Sequence, residues 1–188
     1  MGKREIRKNI LSIRNNLNDF EISEKSSKVT NKLISMKEFK KSETVFIYMD
    51  FKKEVKTDQI IKILFDENKQ VVVPWTDTVN TEIIPMKITN LENDLTISSF
   101  GYLEPKKENA IEVKVEDIDL IIVPGVVFDE KLNRIGFGKG YYDKVLIRKR
   151  ESTPAIAIAY EFQVLDEIPH EAHDVKMDFI ITESNTYR

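Results

Sequence analysis

Arg134, Lys139 and Asp143 frame three alternating glycines in the run Asn133-Arg134-Ile135-Gly136-Phe137-Gly138-Lys139-Gly140-Tyr141-Tyr142-Asp143. Glycines spaced this way let successive backbone amides turn toward one centre and form a concavity that holds an anion. The two cations could neutralise phosphate oxygens, and the carboxylate could take a hard divalent metal. The chemistry expected is therefore phosphate handling. The pattern is neither the dinucleotide fingerprint, whose third glycine comes one residue later, nor the phosphate loop ending in Gly-Lys-Ser/Thr. A glycine-rich surface turn would use the same residues. Position favours the functional reading, because the run follows an apolar stretch ending in Val123-Pro124-Gly125, and open α/β sheets bind ligands beyond the carboxyl ends of their strands. A helix expected to start near Gly140 would add free N–H groups and the positive end of its dipole.

Such a loop needs a sheet and helices to hold it. Ile6, Ile10, Ile13 and Leu17 share one stripe of a helix spanning about residues 3 to 17. A second helix is expected at about 22 to 37, opened by Ser23 and carrying Val29, Leu33, Ile34 and Met36. Thr44 to Met49, Val71 to Trp75, Leu120 to Pro124, Ala155 to Tyr160 and Asp178 to Thr182 are apolar runs of the kind found in strands covered on both faces. Helical patterns intervene from Asp58 to Glu67, after a capping Thr57, and from Lys139 to Arg150. Between Thr81 and Lys107 the pattern is less regular, with a strand around Ile83, Ile84, Met86 and Ile88 and a turn-rich approach to a site at Phe100-Gly101-Tyr102-Leu103-Glu104-Pro105. The alternation predicts an α/β fold: a single-domain layered sandwich over residues 1–188, its largely parallel sheet flanked by helices.

The chain has 188 residues, 41% of them hydrophobic, enough for one full core. Its 29 basic and 32 acidic side chains give a net charge of -3, without the global positive field that nucleic-acid binding uses. There is no cysteine, hence no disulfide, thiolate nucleophile or cysteine metal site. A charged N-terminus without an apolar core behind it, and no apolar run of membrane-spanning length, signal neither export nor insertion. A cytoplasmic monomer is expected.

The segments Val123-Pro124-Gly125-Val126-Val127-Phe128-Asp129 and Arg134 to Asp143 together resemble the signature of the 5-formyltetrahydrofolate cyclo-ligase family, also called methenyltetrahydrofolate synthetases. Lys3-x-x-Ile6-Arg7 with Arg14, Glu54-Val55-Lys56-Thr57, Gly101 to Pro105 and His173-Asp174 are similar to the family's other motifs in order, so the resemblance covers nearly the whole chain. Two positions depart from the pattern. Leu132 stands where the family usually has glycine, so the turn entering the loop is expected to differ in shape, and Trp75 stands where a basic residue is expected.

The resemblance implies an ATP-dependent ligase that closes 5-formyltetrahydrofolate to 5,10-methenyltetrahydrofolate with Mg²⁺ and no redox cofactor. It implies that Arg134, Lys139 and Tyr141 serve catalysis. ATP would be held by Lys3, Arg7, Arg14 and the run Arg134, Ile135, Gly136, Phe137, Gly138, Lys139, Gly140, Tyr141 and Tyr142. The folate would be held by Met49, Glu54, Phe137 and Tyr141. Asp143 and Asp174 would bind the magnesium, a pairing that spacing alone does not reveal.

The residues admit plainer readings too. Lys3, Arg7 and Arg14 fall within about 40° of one another on a helical wheel, at the edge of the apolar stripe. By themselves they favour a solvated helix face over a phosphate clamp, and the resemblance reverses that order. Glu54 is either an exposed turn glutamate or a carboxylate partner for pterin N–H donors. Met49 suits a buried strand without any ligand. Tyr141 and Tyr142 could simply pack, and His170 and His173 read as loop residues, since two histidines without another clustered donor make a poor zinc set. A non-catalytic nucleotide- or folate-binding regulator, and a sugar-phosphate isomerase of similar layering, are the competing functions.

Overall fold

Short apolar runs interrupted by helical segments build one large sheet in the computed structural model, which describes residues 2–171 and 174–188. The chain begins with α1 (Lys3–Asn16), α2 (Asp19–Ser35) and the short α3 (Lys37–Lys41) before entering β1 (Thr44–Ile47). After α4 (Asp58–Asp66) come β2 (Gln70–Asp77), β3 (Glu82–Ile88), a ribbon of β4 (Leu95–Ile97) and β5 (Leu103–Pro105), and β6 (Ile111–Glu112). Then β7 (Leu120–Val123), β8 (Val127–Asp129) and β9 (Arg134–Ile135) lead through the glycine run into α5 (Tyr141–Arg148). The chain continues through β10 (Ala155–Ile158), β11 (Val164–Leu165), β12 (Phe179–Ile181) and β13 (Thr186–Tyr187).

The main sheet has the order β13-β12-β10-β7-β1-β2-β3-β6. Its centre, β12-β10-β7-β1-β2, is parallel throughout, and β13, β3 and β6 join it through antiparallel pairings. The fold is thus the mixed α/β layering with a mostly parallel sheet that the alternation predicts. Every residue of β1, β7 and β10 is buried, because helices cover both faces. Val45 and Ile47 point to the face covered by Val29 and Leu33 of α2 and by Ile60, Ile61 and Leu64 of α4. Phe46 between them points to the opposite face, with Val145 and Leu146 of α5.

A small sheet, β11-β8-β9, stands beside the large one. Ile6 and Ile10 of α1 pack on Val126, Val127 and Ile135 of that unit. This packing fixes the basic edge of α1 beside the glycine run.

Four local expectations change. Ile13 is 47% exposed, and Arg14 instead continues the buried row of Ile6 and Ile10. Helix α2 starts at Asp19, before Ser23, because Asn18 and Glu21 form a reciprocal capping box. The Thr57 hydroxyl does not cap α4: it donates to Asp50 Oδ1 at 3.1 Å. Helix α5 begins at Tyr141, since Gly140 holds a left-handed φ of 67° as its N-cap.

Candidate active site

The glycine run, the N-terminal half of α1, the segment after β1 and residues 171 and 174 enclose a cavity of about 600 Å³. That volume suits a nucleotide-sized or drug-sized ligand. At one end the cations converge on the loop. Arg7 Nε donates to the carbonyl of Gly136 at 2.8 Å, and its guanidinium lies 3.4 Å from where a Cβ on Gly138 would stand. Gly138 has φ 97°, so a side chain there would face both backbone strain and this close approach. Arg134 is nearly sealed and donates from Nη2 to Asp143 Oδ1 at 2.7 Å, bridging β9 to the first turn of α5. The amides of that first turn have no intrahelical acceptor, and Gly140 to Asp143 all line the cavity.

Lys3 closes this end from α1. Its ammonium donates to Asp174 at 2.8 Å and to Glu171 at 3.1 Å. The hydrogen bond to Asp174 raises the lysine above its ordinary pKa more than partial burial lowers it. Lys139 is exposed, its Nζ 5.5 Å from the centroid of the Phe100 ring.

The other end is apolar around one carboxylate. Phe51, Phe100 and Tyr102 form an aromatic wall, with Phe100 and Tyr102 stacked at 5.9 Å. Met49 lines the cavity beside them. Glu54 is buried and accepts from the Phe51 amide at 3.0 Å. Desolvation pushes its carboxyl up to about 7, against the opposing pull of Arg14. Tyr142 stacks on Phe46 at 6.0 Å, and its hydroxyl has no hydrogen-bond partner among the described residues. Burial raises that phenol well above its usual pKa, so it stays protonated.

Among the described residues no three acidic or histidine side chains converge as a metal cage. Asp143 and Asp174 are two of the four carboxylates on the cavity wall, with Glu54 and Glu171. The two aspartates suit Mg²⁺, which commonly takes one or two carboxylates and fills its octahedron with water and phosphate oxygens. His170 lies with Nδ1 3.3 Å from the Ile168 carbonyl, and His173 falls outside the described residues.

The structure brings Lys3, Arg7, Met49, Glu54, Arg134, Ile135, Gly136, Phe137, Gly138, Lys139, Gly140, Tyr141, Tyr142, Asp143 and Asp174 to one cavity wall. Arg14 is set apart from the rest of that group. It is 1% exposed, absent from the main cavity wall, paired with Glu54 at 3.8 Å and 5.6 Å from the Phe137 ring centroid. Trp75 lies outside the cavity, and a cation from a different segment, Lys107, sits 4.6 Å over its ring. Leu132 takes φ 69°, the left-handed conformation glycine would adopt. Phe51 was missed in the sequence because nothing local distinguishes it from a core aromatic. Glu171 was missed because only the fold brings it to Lys3.

The description "5-formyltetrahydrofolate cyclo-ligase family" fits residues 1–183 as a family model. A 5,10-methenyltetrahydrofolate synthetase from Aquifex aeolicus, solved by NMR, matches at TM-score 0.86 and 37% identity, covering 100% of this chain and 93% of that one. A Mycoplasma pneumoniae 5,10-methenyltetrahydrofolate synthetase matches at TM-score 0.80 and 29% identity over 97% and 99% of the two chains. The 5-formyltetrahydrofolate cyclo-ligase of Haemophilus influenzae is 27% identical over 93% of this chain and 94% of its own. No helix among the described residues is long and apolar enough to cross a membrane.

Proposed function

Because the chain belongs to the 5-formyltetrahydrofolate cyclo-ligase family, we propose that it closes 5-formyltetrahydrofolate to 5,10-methenyltetrahydrofolate, converting ATP to ADP and phosphate. The observation that carries this reading is the junction, in one cavity, of a cation-rich glycine loop with an aromatic wall around a buried carboxylate. A phosphate ligand suits the first and a flat heterocycle with N–H donors suits the second.

The formyl oxygen is a poor leaving group until it carries the γ-phosphoryl group. N10 of the same folate then attacks the activated carbon, the carbon–oxygen bond breaks, and the former formyl oxygen leaves in the phosphate while N10 gives up its proton. In this reading Lys3, Arg7, Arg134 and Lys139, with the loop amides, bind the phosphates and neutralise the transferring group. Asp143 and Asp174 would hold Mg²⁺, which when bound adds positive charge at the phosphate oxygens. Glu54 accepts from the pterin, Met49 and Phe137 pack on the folate, and Tyr141 stands where the two substrates meet. Since the attack is intramolecular, the main task of these residues is to hold N10 against the activated carbon.

We read the chain as one cytoplasmic, monomeric domain whose partners are ATP and 5-formyltetrahydrofolate, with neither nucleic acid nor membrane involved. Incubation with 5-formyltetrahydrofolate and Mg·ATP should produce the methenyl chromophore, and omission of ATP should abolish it. An absorbance that stays flat with both substrates present would refute the assignment.

A further inference from the structure

We propose that Lys53 is a positioning residue for the folate end of the cavity, its ammonium tying the loop that presents Glu54 to the C-terminal end of α1; the inference rests on the folate role given to Glu54 above. Lys53 Nζ donates to the carbonyls of Asn15 at 2.7 Å and Leu17 at 2.6 Å. The last carbonyls of a helix lack intrahelical donors and carry its negative dipole end, so a cation is the favoured partner. The basic residue of α1's own last turn, Arg14, is turned inward to Glu54. The cation that meets these carbonyls therefore comes from another segment.

That segment is strained. Lys52 and Lys53 hold successive φ values of 45° and 61°, a left-handed pair without glycine. Such a backbone persists where its surroundings over-determine it, and it concentrates at ligand sites. Here two constraints close the turn. The Phe51 amide donates to Glu54 Oε2 and the Glu54 amide donates to the Phe51 carbonyl at 3.2 Å. The Tyr160 hydroxyl fixes the Glu54 carbonyl at 3.0 Å, and the Lys53 clamp fixes the residues just before it. The ammonium thus holds the Glu54 loop to the end of the helix that carries Arg14, alongside the 3.8 Å Arg14–Glu54 pair, and it keeps Phe51 in the cavity wall against Tyr102. The charged and titratable groups around Glu54 are Arg14 from α1, Asp50 and Lys56 from its own loop, Tyr48 beyond β1, Tyr142 from α5 and Tyr160 beyond β10. The Arg14–Glu54 ion pair at 3.8 Å ties the Glu54 side chain to the same helix, but among the described residues none of the hydrogen bonds of these groups joins the backbone end of α1, so loss of Lys53 frees the turn's backbone from the helix terminus.

The test compares wild type, Lys53→Met and Lys53→Arg for methenyl formation against each substrate over a range of pH, with melting temperatures alongside. Lys53→Met should raise the KM for 5-formyltetrahydrofolate on the order of ten-fold while the KM for ATP stays within about two-fold, because only one end of the cavity loosens. The pH midpoint for folate kcat/KM should also fall toward the ordinary carboxylate range as the released Glu54, whose carboxyl burial holds up to about 7, gains water. Lys53→Arg, which keeps a donor cation, should recover most of both. A lower melting temperature with unchanged folate KM and pH midpoint would overturn the proposal and leave Lys53 a helix cap. So would an equal rise in both KM values. Should Lys53→Met not fold, Lys53→Gln, polar but too short to span both carbonyls, carries the same comparison. A wild-type protein that forms no chromophore would instead remove the enzymatic reading, and the role of Lys53 with it.

Discussion

Arg14 Nη1 stands 3.8 Å from Glu54 Oε1, both side chains nearly out of water, and the carboxyl is nonetheless pushed up from 4.5 to about 7. Burial here outweighs the pairing, as it commonly does for enclosed ion pairs. Between those two pH values the folded protein keeps a proton that the unfolded chain releases. The contribution of Glu54 to stability is therefore full below pH 4.5 and is lost as pH rises through 7, a total of about 3 kcal/mol. Glu54→Gln lacks this titration. Urea unfolding of both proteins at about pH 5 and about pH 8 should show wild type losing stability relative to the variant. A difference that does not change with pH would reject the shifted carboxyl.

Lys139 and Arg134 flank the same glycines but differ in what else depends on them. Lys139 is exposed, with its ammonium 5.5 Å from the centroid of the Phe100 ring, so Lys139→Ala should leave folding intact and lower kcat by roughly one to three orders of magnitude. Arg134→Ala should cost activity and stability together, because it strips the partner from Asp143 and opens space beneath Gly136. Stopped or steady-state assays with matched thermal melts separate the two cases. Equal turnover in wild type and Lys139→Ala would end the catalytic role given to that lysine.

The parts of this molecule that were legible in the sequence are those set by local pattern. Continuous apolar runs announced β1, β2, β7, β10 and β12, because burial on both faces leaves no polar alternation. The glycine run announced a loop before a helix, and Gly140 does cap α5. What stayed hidden was set by pairing at a distance. Hydropathy ranks Ile13 above Arg14 for the buried face of α1, yet Arg14 is inside because Glu54 waits there from a different element. The two lysines at φ 45° and 61° carry no local mark of strain, and the α1 carbonyls that Lys53 meets come from a distant segment. The early start of α2 has a local signal: Asn18-Asp19-Phe20-Glu21 has the spacing of a capping box, which takes precedence over the later serines.

Asp143 is engaged by Arg134 while facing the cavity, so its free oxygen is the natural point for a cation that accompanies phosphate. Asp143→Asn keeps an acceptor for Arg134 but halves the carboxylate charge available with Asp174. The magnesium concentration giving half-maximal turnover should rise several-fold, with activity partly restored at high magnesium. A metal titration superimposable on that of wild type would remove Asp143 from the metal site.

Leu132 occupies a left-handed turn that its surroundings impose. The Asp129 carboxylate accepts from the amides of Lys131, Asn133 and Ile168 and from the Asn133 side chain, and the Leu132 amide donates to the Asp129 carbonyl at 3.0 Å. The Leu132 carbonyl accepts from the Met177 amide at 2.9 Å, which fixes the other side of the residue. With φ held at 69°, any Cβ crowds its own backbone, at a cost of about 1 to 2 kcal/mol. Ordinarily alanine stabilises relative to glycine by restricting the unfolded chain. At this position the order should invert. Leu132→Ala and Leu132→Gly both discard the packing of the leucine side chain, but only the glycine variant relieves the turn, so Leu132→Gly should be the more stable of the two by about 1 kcal/mol. Urea midpoints with equal slopes would measure that difference directly. If the alanine variant proved equal or better, the turn would carry no such strain, and the leucine at the entrance to the phosphate loop would need a different explanation.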